Sequence, residues 1–257
     1  MSGDILATEH NGVLRVTLDR PEKRNPLSRA ALAQLCEIFE SHRDAELSLA
    51  VLRGAGEASF AAGGDLRDLE QVCTPQQASE LHSLGTSALQ AIREFPVPVV
   101  AALNGVALGG GAELAVACDL RIAAAHARIG FVQGTLNIPA AWGGGHDLIA
   151  LVGPARGLEL LVSARVLSAA QALAAGLVET VAAEDEDFED FIGRFIAPFA
   201  RQRPQVMRAF KAQAAAAKLG LPRKAIEARD AELFAQAWCH DDHWAAARNV
   251  LQKEARR

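Results

Sequence analysis

The sequence predicts an α/β fold with an appended helical region, and three observations carry that expectation. Short apolar runs alternate with helix-period segments from residue 4 to Val181, two glycine-rich turns follow buried strands, and no strand-like run occurs later. The expected division is a core over residues 1–190 and a helical region over residues 191–257.

Each element has a local cause. Residues 4–9 and 12–18 alternate apolar and polar side chains around Asn11-Gly12, a strong hairpin signal. The loop RPEKRNP spans residues 20–26, and Ser28 then caps a helix whose Leu32, Leu35, Cys36 and Phe39 share a face. Residues 47–52 read as a buried strand ending at Gly54. Thr74-Pro75 opens a long helix that must stop before Pro96. Residues 97–103 form a second buried strand, followed by Gly109-Gly110-Gly111 and a short helix from Gly110 to Cys118. Short strands are expected over 120–123 and 128–131, helices over 144–152, 154–163 and 169–175, and a last strand over 178–181. Six acids crowd residues 184–190, which suits a helix N-terminus.

Composition narrows the function. Half of the 257 residues are hydrophobic, enough for a real core. Four cysteines lie far apart without a CxxC, which suggests neither a disulfide framework nor a zinc site. The start of the chain has no apolar run, and the most apolar stretch, 96–118, is broken by Asn104, four glycines and Glu113. A cytoplasmic protein with no membrane partner is therefore expected. Net charge is −5, yet residues 191–257 hold 13 of the 26 basic side chains against 6 acids. Such a basic region suits a solvated helical surface, a phosphorylated ligand or a neighbouring subunit.

The two glycine turns carry the chemistry. A strand, then Gly109-Gly110-Gly111, then a helix brings free N–H groups to a helix start, a ready site for an anion or a developing oxyanion. SFAAGGDL, residues 59–66, makes a second such turn, and the two can supply one N–H each to a single oxygen. A nucleotide loop is excluded, because neither a Walker A lysine nor GxGxxG is present. Glu113 lies in the first turn of the short helix, either as a dipole-favoured acid or as an acid/base group.

FAAGGDL, then PVVAALNGVALGGGAELAVACDLRIA, then AWGGGHDL with ALAAGLVETV, resembles the enoyl-CoA hydratase/isomerase (crotonase) family. The match runs in order from LDRPEKRNPLS to the C-terminal helices. The resemblance implies a spiral of ββα units, a homo-oligomer (a trimer or a dimer of trimers) and an acyl-CoA substrate, with no separate cofactor and no metal. It also implies that the backbone N–H groups of Gly64 and Gly110 hold the thioester oxygen, with Glu113 beside the enolate carbon. Coenzyme A recognition falls by motif match on Lys23, Arg24, the Ala62 carbonyl, Phe234 and Lys253, with Val250 replacing a usual phenylalanine. Asp65 and Leu66 after the second turn complete the expected substrate contacts, and Trp142 is expected to wall the acyl pocket. His146, which with Asp147 follows the glycines of residues 143–145, reads as a surface or capping residue.

One position departs from the family. Its hydratases use a second glutamate shortly before the WGG or AGG motif, and ungapped alignment puts Gln133 there. A shift of one or two residues gives Gly134 or Thr135, still no carboxylate. An amide cannot take a proton from water, so ordinary hydration and isomerisation are disfavoured. Decarboxylation of a malonyl-type thioester needs only an oxyanion hole and one proton donor. The segment GGGAE…ACD…RIGFVQ…AAWGGGHDL also resembles the ethylmalonyl-CoA decarboxylase branch. A tyrosine-dependent route is excluded, since the chain has no tyrosine. Two other readings stand beside this one: a hydratase or isomerase working with Glu113 alone, and an inactive binder of CoA esters. RNA binding is disfavoured, because the helix over residues 29–43 carries two interior acids and no lysine.

Overall fold

The computed structural model describes residues 4–254. Six strands make the main sheet: β1 (Ile5–His10), β2 (Val13–Leu18), β3 (Leu49–Gly54), β5 (Val99–Leu103), β7 (Leu120–Ala123) and β10 (Thr180–Val181), in that spatial order. β1 runs antiparallel to β2, and every other pair is parallel. Asn11 and Gly12 both take positive φ, 49° and 72°, as a tight hairpin turn requires. A second sheet joins β4 (Ser59–Ala61), β6 (Val106–Leu108), β8 (Arg128–Gly130) and β9 (Val166–Ser168).

Strand alternation explains the layers. Ala50 and Leu52 of β3 and Val99, Ala101 and Leu103 of β5 face the large core that also holds Phe60, Leu114 and Trp142. Leu49, Val51, Val100 and Ala102 point the other way, onto Phe191, Ile192 and Ile196 of α8 (Phe188–Ala200). The inner side is closed by α1 (Arg29–Ser41), α3 (Pro75–Arg93) and α4 (Gly110–Ala117), with α2 (Leu66–Leu69) a single turn. Next come α5 (Gly144–Val152), α6 (Pro154–Ser163) and α7 (Ala169–Ala174). α9 (Pro204–Lys218), α10 (Arg223–Cys239) and α11 (Asp241–Glu254) complete the chain.

The caps are those the sequence calls for. Ser28 accepts the Ala31 N–H, and Thr74 forms a reciprocal capping box with Gln77. The acidic run ends in α8, where Asp187 accepts the Asp190 N–H. Several expected boundaries need correction. β3 and β5 begin at Leu49 and Val99, two residues later than the apolar runs; Pro98 has no N–H to give to a ladder. β10 is only Thr180–Val181, because the Leu177 carbonyl is taken by the Arg121 guanidinium rather than by a neighbouring strand. β6, β9 and α2 were not anticipated, being too short for a periodicity to show.

Candidate active site

The parallel pairing of β4 with β6 lays the two glycine turns side by side. In each turn a left-handed glycine precedes the expected donor: Gly63 at φ 107° before Gly64, and Gly109 at φ 52° before Gly110. A side chain on Gly63 would lie 3.1 Å from the Leu108 carbonyl oxygen and 3.9 Å from the Gly110 nitrogen, so the turns are in contact. Gly63 O and Asp65 N–H are committed to Leu27, which leaves the Gly64 N–H facing away from that bridge. The Gly110 N–H is one of the orphan donors at the start of α4. Gly111 fits only because it lacks a side chain, since a Cβ there would meet the Ala61 oxygen at 2.1 Å.

Glu113 is 2% exposed, in a helix with every residue buried. Its Oε1 accepts the Gln133 Nε2–H at 2.9 Å, and its Oε2 accepts the backbone N–H groups of Trp142 at 2.8 Å and Gly144 at 3.0 Å. Burial pushes this carboxyl above the usual carboxylate range, and the neutral donors pull it back only partly. Gly144 must be a glycine, because a Cβ would lie 2.4 Å from the Glu113 Cβ. Trp142, 7% exposed, is wedged between Gly85 of α3 and Gly110 of α4.

Gln133, and not Gly134 or Thr135, faces Glu113; those two neighbours are exposed. Gln133 is 8% exposed and opens the short 3-10 turn Gln133–Leu136. Its amide carbon would be 4.0 Å from a Cβ on Gly109, so it borders both the acid and the glycine turn. The Gln133 Oε1 is buried and has no partner among the described residues.

The other expected residues divide into two groups. Lys23 and Arg24 are exposed on a loop that the Ala62 N–H ties down through the Arg24 carbonyl. Buried Asn25 locks the loop further by donating to the Ala55 and Ser59 carbonyls. Leu66 is exposed at the start of α2. Asp65 pairs through Oδ2 with Arg20 at 2.9 Å. Phe234 and Lys253 lie on exposed faces of α10 and α11, and α10 packs against α9 and α11. Neither makes a hydrogen bond or aromatic contact with the Glu113 cluster; Phe234 stacks instead beside Trp238 at 5.4 Å.

His146 is exposed, as the sequence suggests, but Asp147 is 5% exposed and is bound by Arg93 of α3 and Lys218 of α9. Sequence reasoning did not foresee this pairing, which joins segments far apart in the chain with no local pattern. The Cys118 thiol, pushed up to about 12 by burial, is a packing group rather than a nucleophile.

The family model for enoyl-CoA hydratase/isomerase matches residues 8–252, and the chain belongs to that family. The 2,3-dehydroadipyl-CoA hydratase of Escherichia coli (strain K12) is 32% identical over 251 residues, 97% of this chain and 96% of that protein. The ethylmalonyl-CoA decarboxylase of Bos taurus is 28% identical over 236 residues, 91% of this chain and 76% of that protein. A crystal structure of enoyl-CoA hydratase from Bacillus anthracis superposes with a TM-score of 0.90 at 29% identity, covering 97% of this chain and 96% of that one. Against two of the more similar curated relatives, the chain spans 62% of their length. No helix among the described residues is long and apolar enough to cross a membrane.

Proposed function

We propose that the protein is an acyl-CoA lyase that decarboxylates a short malonyl-type CoA thioester. The carrying observation is a single buried carboxylate, Glu113, faced by an amide, Gln133, where hydration chemistry calls for a second carboxylate. In the proposed reaction, the bond from the α-carbon to the substrate carboxylate breaks. CO₂ leaves, and the electron pair passes into a thioester enolate. The Gly64 and Gly110 N–H groups hold the enolate oxygen, an arrangement worth ~3 kcal/mol per donor in other enzymes. Protonated Glu113 then gives its proton to the α-carbon and recovers one from solvent. Its raised pKa suits a donor, and its three N–H contacts receive the carboxylate that remains.

Gln133 spends one N–H on Glu113, and its second N–H, which has no partner among the described residues, can meet the substrate carboxylate. A glutamate there would repel that carboxylate. Lys23, Arg24 and the Ala62 carbonyl are proposed to hold the CoA portion, with Phe234 and Lys253 joining from another copy of the chain in a trimer or dimer of trimers. Trp142 backs the acyl pocket.

A second reading, hydration of an enoyl-CoA with Glu113 alone, is favoured by the hydratase relative and by the hydratase structure. One panel separates the two: malonyl-, methylmalonyl-, ethylmalonyl- and crotonyl-CoA, followed by mass spectrometry for loss of CO₂ or gain of water. Faster loss of CO₂ is expected. Hydration of crotonyl-CoA at roughly 10 s⁻¹, a typical enzymatic rate, overturns the decarboxylase reading. Gln133→Glu is expected to raise hydration and depress decarboxylation.

A further inference from the structure

The turn that delivers two N–H groups to Glu113 is itself held from behind. Arg93 donates through Nε to Asp147 Oδ2 at 2.8 Å and through Nη2 to the Trp142 carbonyl at 3.1 Å. Asp147 Oδ1 meets the Lys218 ammonium at 2.7 Å. The Arg93 guanidinium lies flush on Gly143, where a Cβ would sit 2.9 Å from Nη2, and Gly143 takes φ 90°. Trp142-Gly143-Gly144 is therefore a plate one residue thick, with Arg93 on one side and Glu113 on the other.

Lys218 is the last residue of α9, and Lys211 of the same helix pairs with Asp119 just beyond the end of α4. One C-terminal helix thus reaches acids beside both helices of the site.

We propose that Arg93, Asp147 and Lys218 are positioning residues, a clamp that keeps the Trp142–Gly144 turn in register with Glu113 and ties proton delivery there to the seating of α9. The proposal rests on the reading of Glu113 as the acid/base group. The charged groups on the elements packed against α4 are few. α3 carries Glu80, His82 and Arg93, α5 carries His146 and Asp147, β7 carries Arg121, and β4 and β6 carry none. Glu80, His82 and His146 are exposed, and Arg121 is committed to Glu179 and to the Leu177 and Cys118 carbonyls. Of these groups, only Arg93 and Asp147 engage the turn, and Lys218 of α9 reaches it through Asp147.

Two variants separate positioning from simple electrostatics. Asp147→Asn removes a negative charge, which by itself lowers a neighbouring carboxyl's pKa; a loosened turn takes N–H donors from Glu113 and raises it. Arg93→Lys keeps the charge but loses the fork that spans Asp147 and the Trp142 carbonyl. The readout is the protonated-carboxyl band in pH-dependent infrared difference spectra, assigned to Glu113 by its loss in Glu113→Gln. Thermal unfolding is followed alongside.

The clamp predicts an upward move of the Glu113 midpoint by about half a pH unit or more in both variants. A midpoint that stays or falls in Asp147→Asn, or stays in Arg93→Lys, with only the melting temperature lowered, overturns the clamp and leaves the Glu113 reading standing. If Asp147→Asn fails to fold, Arg93→Lys alone decides between these outcomes. A spectrum in which Glu113→Gln removes no titrating band overturns the acid/base reading itself.

Discussion

Two buried carboxylates sit on either side of one backbone turn, and their surroundings are opposite. Glu113 receives three neutral N–H donors and has no ion pair among the described residues, and burial raises its pKa. Asp147 is gripped by two cations, Arg93 and Lys218. Neutral donors at a buried acid permit the gain and loss of a proton, whereas a pair of cations fixes a side chain in place. The type of partner, more than burial, distinguishes a group suited to chemistry from one suited to support.

The largest expected effect of breaking this contrast is at Glu113. Glu113→Gln keeps the acceptor for the Trp142 and Gly144 N–H groups but removes the proton, so turnover is expected to fall ~10²–10⁴-fold with little change in melting temperature. Steady-state rates and calorimetry check both halves. The same variant bears on the pH dependence of stability. A carboxyl whose folded pKa is raised binds its proton more tightly in the native state, so its contribution is present at low pH. That contribution is lost as pH rises from the unfolded to the folded pKa. Wild-type stability is expected to decline across that window, and Glu113→Gln is expected to flatten the decline in urea midpoints measured over pH.

At Asp147 the balance of effects reverses. Asp147→Leu leaves Arg93 without its partner, and a stability loss of about 2 kcal/mol is expected, reduced from a fully buried pair by the partly exposed cations. Equilibrium denaturation reads it directly.

The tryptophan between the two glycines offers a finer comparison. Gly85→Ala and Gly110→Ala each drive a methyl into the Trp142 ring, where a Cβ would lie 2.3 Å away, at a cost of ~1–3 kcal/mol. Only Gly110 belongs to the glycine turn proposed to hold the thioester oxygen. Gly110→Ala is therefore expected to cut turnover further than Gly85→Ala at matched stability loss, and equal losses of turnover would remove Gly110 from the oxyanion site.

Legibility in the sequence followed the range of the interactions. The hairpin at Asn11-Gly12, the caps at Ser28 and Thr74 and the buried strands each rest on neighbours within a few residues, so pattern reveals them. Glu113 and the glycine turns are visible for the same reason, and the gap of 20 residues to Gln133 became readable through the family resemblance. The three-residue strands β6 and β9 are fixed by their partners in the sheet and leave no periodic trace. The pairing of Asp147 was not legible, because its partners lie 54 and 71 residues away and leave no local pattern. The pairing of Asp65 with Arg20, 45 residues away, likewise left no local pattern to read.

In the proposed reaction, Glu113 alone supplies the proton that quenches the enolate. Incubation of the protein with ethylmalonyl-CoA in D₂O, read by mass spectrometry, tests it most directly. The expected product is butyryl-CoA carrying one solvent deuteron at the α-carbon, formed by the wild type and lost together with CO₂ release in Glu113→Gln. Undiminished deuterated product from Glu113→Gln would rule out Glu113 as the proton donor, and an intact substrate beside rapid hydration of crotonyl-CoA would rule out decarboxylation.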